Sequence, residues 1–237
     1  MIGTLINVAT IIVGGFLGIL LSSRLKERVR DTVMAGLGLF TLAYGLQQFL
    51  GAGNALIVLG ALISGALLGE WWQIEDGLSR AGRWLERRLG VKDVESVENQ
   101  QDQKSKFVRG FLTASLLFCI GPMAILGSIQ DGLTGDSSTL IIKSVIDGFA
   151  ALAFASTLGM GVIFSALVIL VYQGSLSLLA AQVQAFFTPV MMGEMTATGG
   201  IILMAVSITS LLNLKQIRAG NILPALIIAP ILAYIFT

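Results

Sequence analysis

The chain has 237 residues, 55% of them hydrophobic and only 12% charged, with a formal net charge of +1. Soluble domains carry about 25% charged residues, so this composition, with a mean hydropathy of +0.86, excludes an ordinary water-soluble core, and the near-zero net charge speaks against nucleic acid as a partner. Histidine is absent and Cys119 is the single cysteine, which removes the commonest metal ligand and any internal disulfide; no metal and no cofactor is expected.

Eight apolar stretches follow one another, at about 2–21, 32–50, 54–72, 107–128, 139–158, 160–181, 193–213 and 221–236. Most approach the ~20 residues that cross a bilayer as a helix. The expected fold class is therefore all-α: a polytopic transmembrane helical bundle of about eight spans, with the lipid bilayer as its solvent. The opening Met1-Ile-Gly-Thr-Leu5 lacks a basic region and a small-residue cleavage site, so it reads as a retained first span. Three units are expected: 1–72 as a first transmembrane unit of three spans, 73–106 as a polar cytoplasmic segment, and 107–237 as a second transmembrane unit of about five spans.

Arg24, Lys26, Arg28 and Arg30 follow the first span. The polar block then places Ile74, Leu78, Ala81, Leu85 and Leu89 at helical spacing, with Arg80, Arg83, Arg87 and Arg88 around them. This pattern predicts an amphipathic helix near the headgroups, continued by a polar linker from Val94 to Lys106. Lys92, Lys104, Lys106 and Arg109 precede or open the fourth span, and Lys215 and Arg218 lie between the last two. With eight spans, every basic residue except Lys143 falls on one side, which the positive-inside rule makes cytoplasmic, and both termini fall outside.

Several segments predict breaks. Gly121-Pro122 interrupts the fourth span, and Ser156-Thr157-Leu158-Gly159-Met160-Gly161 interrupts the chain between the fifth and sixth. Residues 182–193, with Phe186-Phe187, suit an interfacial or re-entrant piece. The last span carries Pro224 and Pro230 and is short enough to be broken or partly inserted. Half-helix ends carry partial charge suited to an ion or polar solute. Spans two and three lie over seven and eight: Met34 to Ala43, with Gly38, resembles Thr196 to Ala205, with Gly200, and each is followed by a helix opening on asparagine, Asn54 or Asn221. Gly3 and Gly14 of span one match Gly110 and Gly121 of span four in spacing. An inverted-topology repeat would give these matches, with spans five and six inserted; chance matching of glycine-rich sequence is the alternative. Glycine-lined faces also suit close helix packing and a homodimer.

Lys143 and Asp147 lie four apart on one face of the fifth span. A charge there costs about 2.5–3.5 kcal/mol on insertion scales. Two readings stand: an internal ion pair with Lys143 reaching outward, or a site in which Asp147 binds a cation or proton and Lys143 competes. The neutral oxygen donors expected around such a site are Asn7 and Thr10, Gln173, Thr196, Thr198, Ser156 and Thr157. Asp131, Asp136 and Glu194 form an outer acidic set, either a solvated loop or a cation-attracting vestibule. No nucleophile–base pairing is visible, so the chain is not expected to be an enzyme. The leading function is transport or channelling of a small solute or ion. The alternative is a non-transporting scaffold or sensor working through the basic 73–106 segment.

A run of motifs carries a family likeness: Met1-Ile-Gly-Thr-Leu-Ile-Asn7, Gly14-Gly15-Phe-Leu-Gly18, Gly110-Phe-Leu-Thr-Ala-Ser115, Gly127-Ser-Ile-Gln-Asp131, Lys143-Ser-Val-Ile-Asp147-Gly148, Ser156-Thr-Leu-Gly-Met-Gly161, Tyr172-Gln-Gly174 and Asn221-Ile-Leu-Pro224. In these the chain resembles the YdfK/YqgA-type family of bacterial membrane proteins, over nearly its whole length. The resemblance implies a helical bundle in a bacterial cytoplasmic membrane and supplies no substrate.

Overall fold

A computed structural model describes residues 1–22, 26–90, 105–184 and 188–236. These form α1 (Ile2–Ser22), α2 (Glu27–Leu50), α3 (Ala55–Trp72), α4 (Ile74–Leu89), α5 (Lys106–Cys119), α6 (Pro122–Thr134), α7 (Ser138–Leu158), α8 (Gly161–Leu178), α9 (Ala180–Gln184), α10 (Pro189–Val206) and α11 (Ala225–Phe236). A π-helical turn, Ser207–Leu211, extends α10, and a 3-10 turn, Ala219–Ile222, precedes α11. Seven helical segments are long and apolar enough to cross a membrane, or eight if the bent pair α5–α6 counts as one. The expected linker over Val94–Lys106 lies almost wholly outside the described residues, as do Arg24, Lys92, Lys104, Phe186 and Phe187.

Helix α1 turns mainly small or polar residues inward and large apolar ones outward. In α1, Gly3, Asn7, Ile11, Gly14 and Gly18 are buried, while Leu5, Val13, Phe16 and Leu20 are exposed. That inversion is what a lipid solvent selects, because helices gain by close backbone approach and lipid accepts the bulky side chains. Gly14 and Gly18 bring α1 against the carbonyls of Gly148 and Leu152, so α1 and α7 run side by side in one direction. The α2–α10 pair is antiparallel. Ser207 donates to the Gly38 carbonyl at 2.6 Å, and a Cβ on Gly45 would sit 2.5 Å from the Gly200 carbonyl. Helices α3 and α11 cross the same way, Gly65 against Ala225 and Gly69 against Asn221.

These contacts sort the bundle into two groups. Helices α1 and α5 to α8 pack together, as do α2, α3, α10 and α11. The grouping cuts across the chain-order units: α1 belongs with α7, although 1–72 precedes the polar segment.

The span at 107–128 is broken where Gly121-Pro122 predicts. Helix α5 stops at Cys119, α6 starts at Pro122, and the two axes differ by 62°. Proline supplies no amide to continue α5, and Gly121 takes φ 156°, ψ 145°, a conformation open almost only to glycine. The Ser156–Gly161 segment is different: it completes α7 and turns into α8, with Gly159 at φ 75°. It is a tight turn at one end of the bundle, not a break within a span, because a left-handed glycine simply terminates the helix.

Helix α4 is amphipathic, but its packing face is rotated from the expected stripe. Glu75, Ser79 and Gly82 are its buried line, Leu78 and Leu85 flank it against Phe107, Val108 and Phe111 of α5, and Ala81 and Leu89 are exposed. Gly82 permits this, since a Cβ there would meet the Phe111 ring at 3.1 Å.

Candidate functional site

Asn7, Lys143, Asp147 and Gln173 come from α1, α7 and α8 and meet in the interior, each 6% exposed or less. Helical spacing puts Lys143 and Asp147 on one face, and they form an ion pair within α7. Asn7 donates from Nδ2 to Asp147 Oδ2 at 3.0 Å and to Gln173 Oε1 at 3.2 Å. The close approach of α1 to α7 through Gly14 and Gly148 brings the asparagine within reach. Lys143 Nζ lies 5.9 Å from the centre of the Phe118 ring, in the last turn of α5. The cluster therefore sits beside the α5–α6 break. Among the described residues, Asn7 Oδ1 and Gln173 Nε2 have no hydrogen-bond partner, leaving one acceptor and one donor in a buried, charged setting. Buried polar atoms are usually paired with protein or with ordered water, so both atoms are available to a water or a bound species.

Chemically, the carboxylate and amide oxygens suit a hard cation or the donor groups of a polar solute. The lysine neutralises Asp147 when nothing else does, so a cation arriving at Asp147 must displace Lys143 or share its acceptor.

The remaining expected donors lie elsewhere. Thr196 donates to the Met192 carbonyl at 2.7 Å and Thr198 to that of Glu194 at 2.8 Å, both within α10. Ser156 donates to the Ala153 carbonyl at 2.7 Å and Thr157 to that of Phe154 at 3.0 Å. Both belong to the end of α7 about two turns or more from Asp147. Thr10 donates to the Asn7 carbonyl at 2.9 Å, bracing the turn that carries Asn7. The outer acidic residues each have their own partners. Asp131 is buried and pairs with the Met1 amino group at 2.9 Å. Asp136 accepts from the Ser138 amide at 3.0 Å and from Gln130 Nε2 at 2.7 Å, closing the turn into α7. Glu194, 2% exposed, accepts from the Asn54 amide at 2.8 Å.

Glu75 was not singled out from the sequence, yet it makes the corresponding clamp at the other end of the bundle. Its carboxylate accepts from the Gly220 amide at 2.9 Å, and its own amide donates to Asn221 Oδ1 at 2.8 Å. The residues preceding α3 and α11, Gly53-Asn54 and Gly220-Asn221, are thus each held by a buried glutamate. The Asn54/Asn221 likeness was the one sequence signal pointing there.

Comparison with known proteins gives a consistent answer. A family described as "Protein of unknown function (DUF554)" matches residues 2–234. The uncharacterized protein YqgA of Escherichia coli (strain K12) is 33% identical over 231 residues, covering 96% of this chain and 94% of that protein. The uncharacterized membrane protein YdfK of Bacillus subtilis (strain 168) is 29% identical over 239 residues, covering 99% and 96%. No solved structure matches the chain. The apolar spans, the motifs in order and these full-length matches agree that the chain is an integral membrane protein and belongs to the DUF554 family.

Proposed function

We propose that this protein is a transporter or channel for a small solute or ion, with Asp147 as the central site, Lys143 as its exchangeable counter-charge, and Asn7 and Gln173 completing the lining. The observation that carries this is the convergence of four buried polar side chains from three helices beside a broken span, with Asn7 Oδ1 and Gln173 Nε2 unpartnered.

An inverted repeat supports the same reading. If Gly38 corresponds to Gly200, as the sequence match suggests, then position 45 corresponds to 207. The contacts Gly38–Ser207 and Gly45–Gly200 then exchange under a two-fold axis in the membrane plane, as they would between inverted repeats. The first turn of α1 and the last turn of α11 lie at the same end of the bundle, and among the described residues Lys143 is the one lysine or arginine away from the opposite end. By the positive-inside rule, both termini face outward from a bacterial cytoplasmic membrane.

The test is thermal stability of the purified protein in detergent against a panel of monovalent cations, anions and small metabolites, with wild type and Asp147→Asn side by side. A ligand that binds only the folded state raises the melting temperature. The expected result is a ligand-dependent rise in wild type that vanishes in the variant. If no ligand shifts either protein and the variant is merely less stable, the pair is structural and the scaffold reading through the basic cytoplasmic segment takes its place.

A further inference from the structure

At the end of the bundle opposite Met1, a cavity of about 240 Å³ opens between α5 and the π-helical extension of α10. Its polar lining comes from Arg109, Glu75, Thr209, Ser210, Asn213 and Gln216. The Nε of Arg109 is buried and has no hydrogen-bond partner among the described residues. Glu75 lines the same cavity, and its carboxylate accepts from the Gly220 amide. A half-buried guanidinium is weakly hydrated, and its planar fork fits an oxyanion by paired hydrogen bonds.

The backbone around this cavity is irregular where it faces Arg109. Residues Ser207–Leu211 form a π-turn, closed by the Leu212 amide on the Ser207 carbonyl at 2.8 Å. A π-turn of this kind is a common way for an α-helix to end. The extra residue widens the helix and brings Thr209 and Ser210 to the cavity wall. Asn213 follows at φ 51°, a left-handed conformation that asparagine tolerates. Lys215 stands exposed on the same loop, adding positive potential around the mouth, while Arg218 there is paired with Glu70 at 3.1 Å. The inner wall, at Leu116, is shared with a larger apolar cavity of about 930 Å³ that runs between the two helix groups.

We propose that this cavity is a binding site for the oxyanion of a small ligand, a carboxylate or phosphate, held by Arg109 with hydroxyl and amide support from Ser210, Asn213 and Gln216. The site stands apart from the Asp147 cluster and does not rest on that reading. The oxyanion belongs either to a soluble solute or to an anionic lipid headgroup.

The experiment measures the melting temperature of the full chain at constant ionic strength against sodium phosphate, sodium acetate and, separately, phosphatidylglycerol micelles. Wild type, Arg109→Gln and Gln216→Glu are compared. Gln216 is exposed, so its substitution adds a repelling carboxylate without disturbing packing. The expected result is a saturable rise in wild type, with the half-saturating concentration raised about tenfold or more in both variants, as loss of a charge-assisted pair of bonds implies. A rise with phosphate or acetate assigns a soluble solute, and a rise with phosphatidylglycerol alone assigns the headgroup. If no ligand gives a saturable rise in wild type, or the rise survives unchanged in Gln216→Glu, the site is not an oxyanion site.

Discussion

The α1/α5–α8 group encloses a charged cluster at its centre, whereas the α2/α3/α10/α11 group, apart from Ser207 on the Gly38 carbonyl, keeps its long-range polar contacts at its ends and crosses the intervening depth on small residues. In the first, Asn7, Lys143, Asp147 and Gln173 are mutually bonded inside the bundle. In the second, Glu194–Asn54 and Glu75–Asn221 clamp opposite ends, while Ser64, Thr196 and Thr198 donate only to carbonyls of their own helices. The first group is thus expensive to bury and chemically equipped. The second is inexpensive and mainly geometric. Function and stability should therefore separate along this division.

The largest effect is expected from breaking the buried pair on one side only. Asp147→Ala leaves Lys143 charged in an interior site and should cost about 3–5 kcal/mol, the usual result of orphaning a buried charge. Replacing both, Lys143→Met with Asp147→Leu, should restore most of that stability while abolishing any ligand-dependent thermal shift. Equilibrium unfolding in mixed micelles checks the first outcome, and the ligand panel checks the second. A double variant that still responds to ligand would move the function out of the first group.

In the second group the corresponding stress is steric. Gly200→Ala drives a Cβ into the Gly45 carbonyl and to 2.9 Å from the Phe49 amide nitrogen. Backbone atoms cannot yield as side chains do, so a loss of about 1–3 kcal/mol is expected, with ligand response at Asp147 unchanged. If Gly200→Ala instead abolishes the response at normal stability, the two groups are coupled and the α2–α10 crossing is part of the working mechanism.

The sequence carried the fold further than the site, for reasons visible in particular residues. Span length and the Gly121-Pro122 break were legible because they are local: apolar run length and the missing proline amide decide them. Lys143 and Asp147 were legible as a pair because four residues fix one helical face. The hydroxyl residues were not. Thr196, Thr198, Ser156 and Thr157 each satisfy themselves on a carbonyl three or four residues earlier, a bond any membrane helix offers. Sequence does not say which way a helix is rotated about its axis, so these could not be told from Asn7, whose amide has to reach another helix. Glu75 was missed for a related reason: its partners, Gly220 and Asn221, lie about 145 residues away.

A smaller effect tests the end clamps. Asn221→Ala removes the acceptor of the Glu75 amide and should cost about 1 kcal/mol, the typical net value of one hydrogen bond. The same deletion at the other end, Asn54→Ala, removes the N-cap oxygen that accepts from the Leu56 amide at 3.0 Å but leaves the Glu194 contact, which uses the backbone of residue 54. The Glu75–Gly220 contact likewise survives Asn221→Ala, but the orphaned Glu75 amide is buried whereas Asn54 and Leu56 are exposed to solvent, so the Asn221 loss should exceed the Asn54 loss. Equal losses would mean that burial of the Glu75 amide adds nothing to the cost of its lost acceptor.

The smallest effect lies in the outer turn. Ser138, through its amide and then its side chain, with Gln130 behind it, holds the Asp136 carboxyl below its ordinary value of 3.8. A carboxyl depressed in the folded state contributes stability above its unfolded pKa, and that contribution is lost as pH falls through the folded value. Wild type should therefore lose melting temperature between about pH 5 and pH 3 slightly more than Asp136→Asn does. The two curves should run parallel above about pH 5, where wild-type Asp136 is ionised in both states. Because Asp136 is fully exposed, solvent screening keeps the difference small. Its value lies in location: the residue closes the turn into α7 without touching the buried pair that the same helix carries. A wild-type curve no steeper than the variant's would show that Asp136 contributes nothing to the acid sensitivity of the fold.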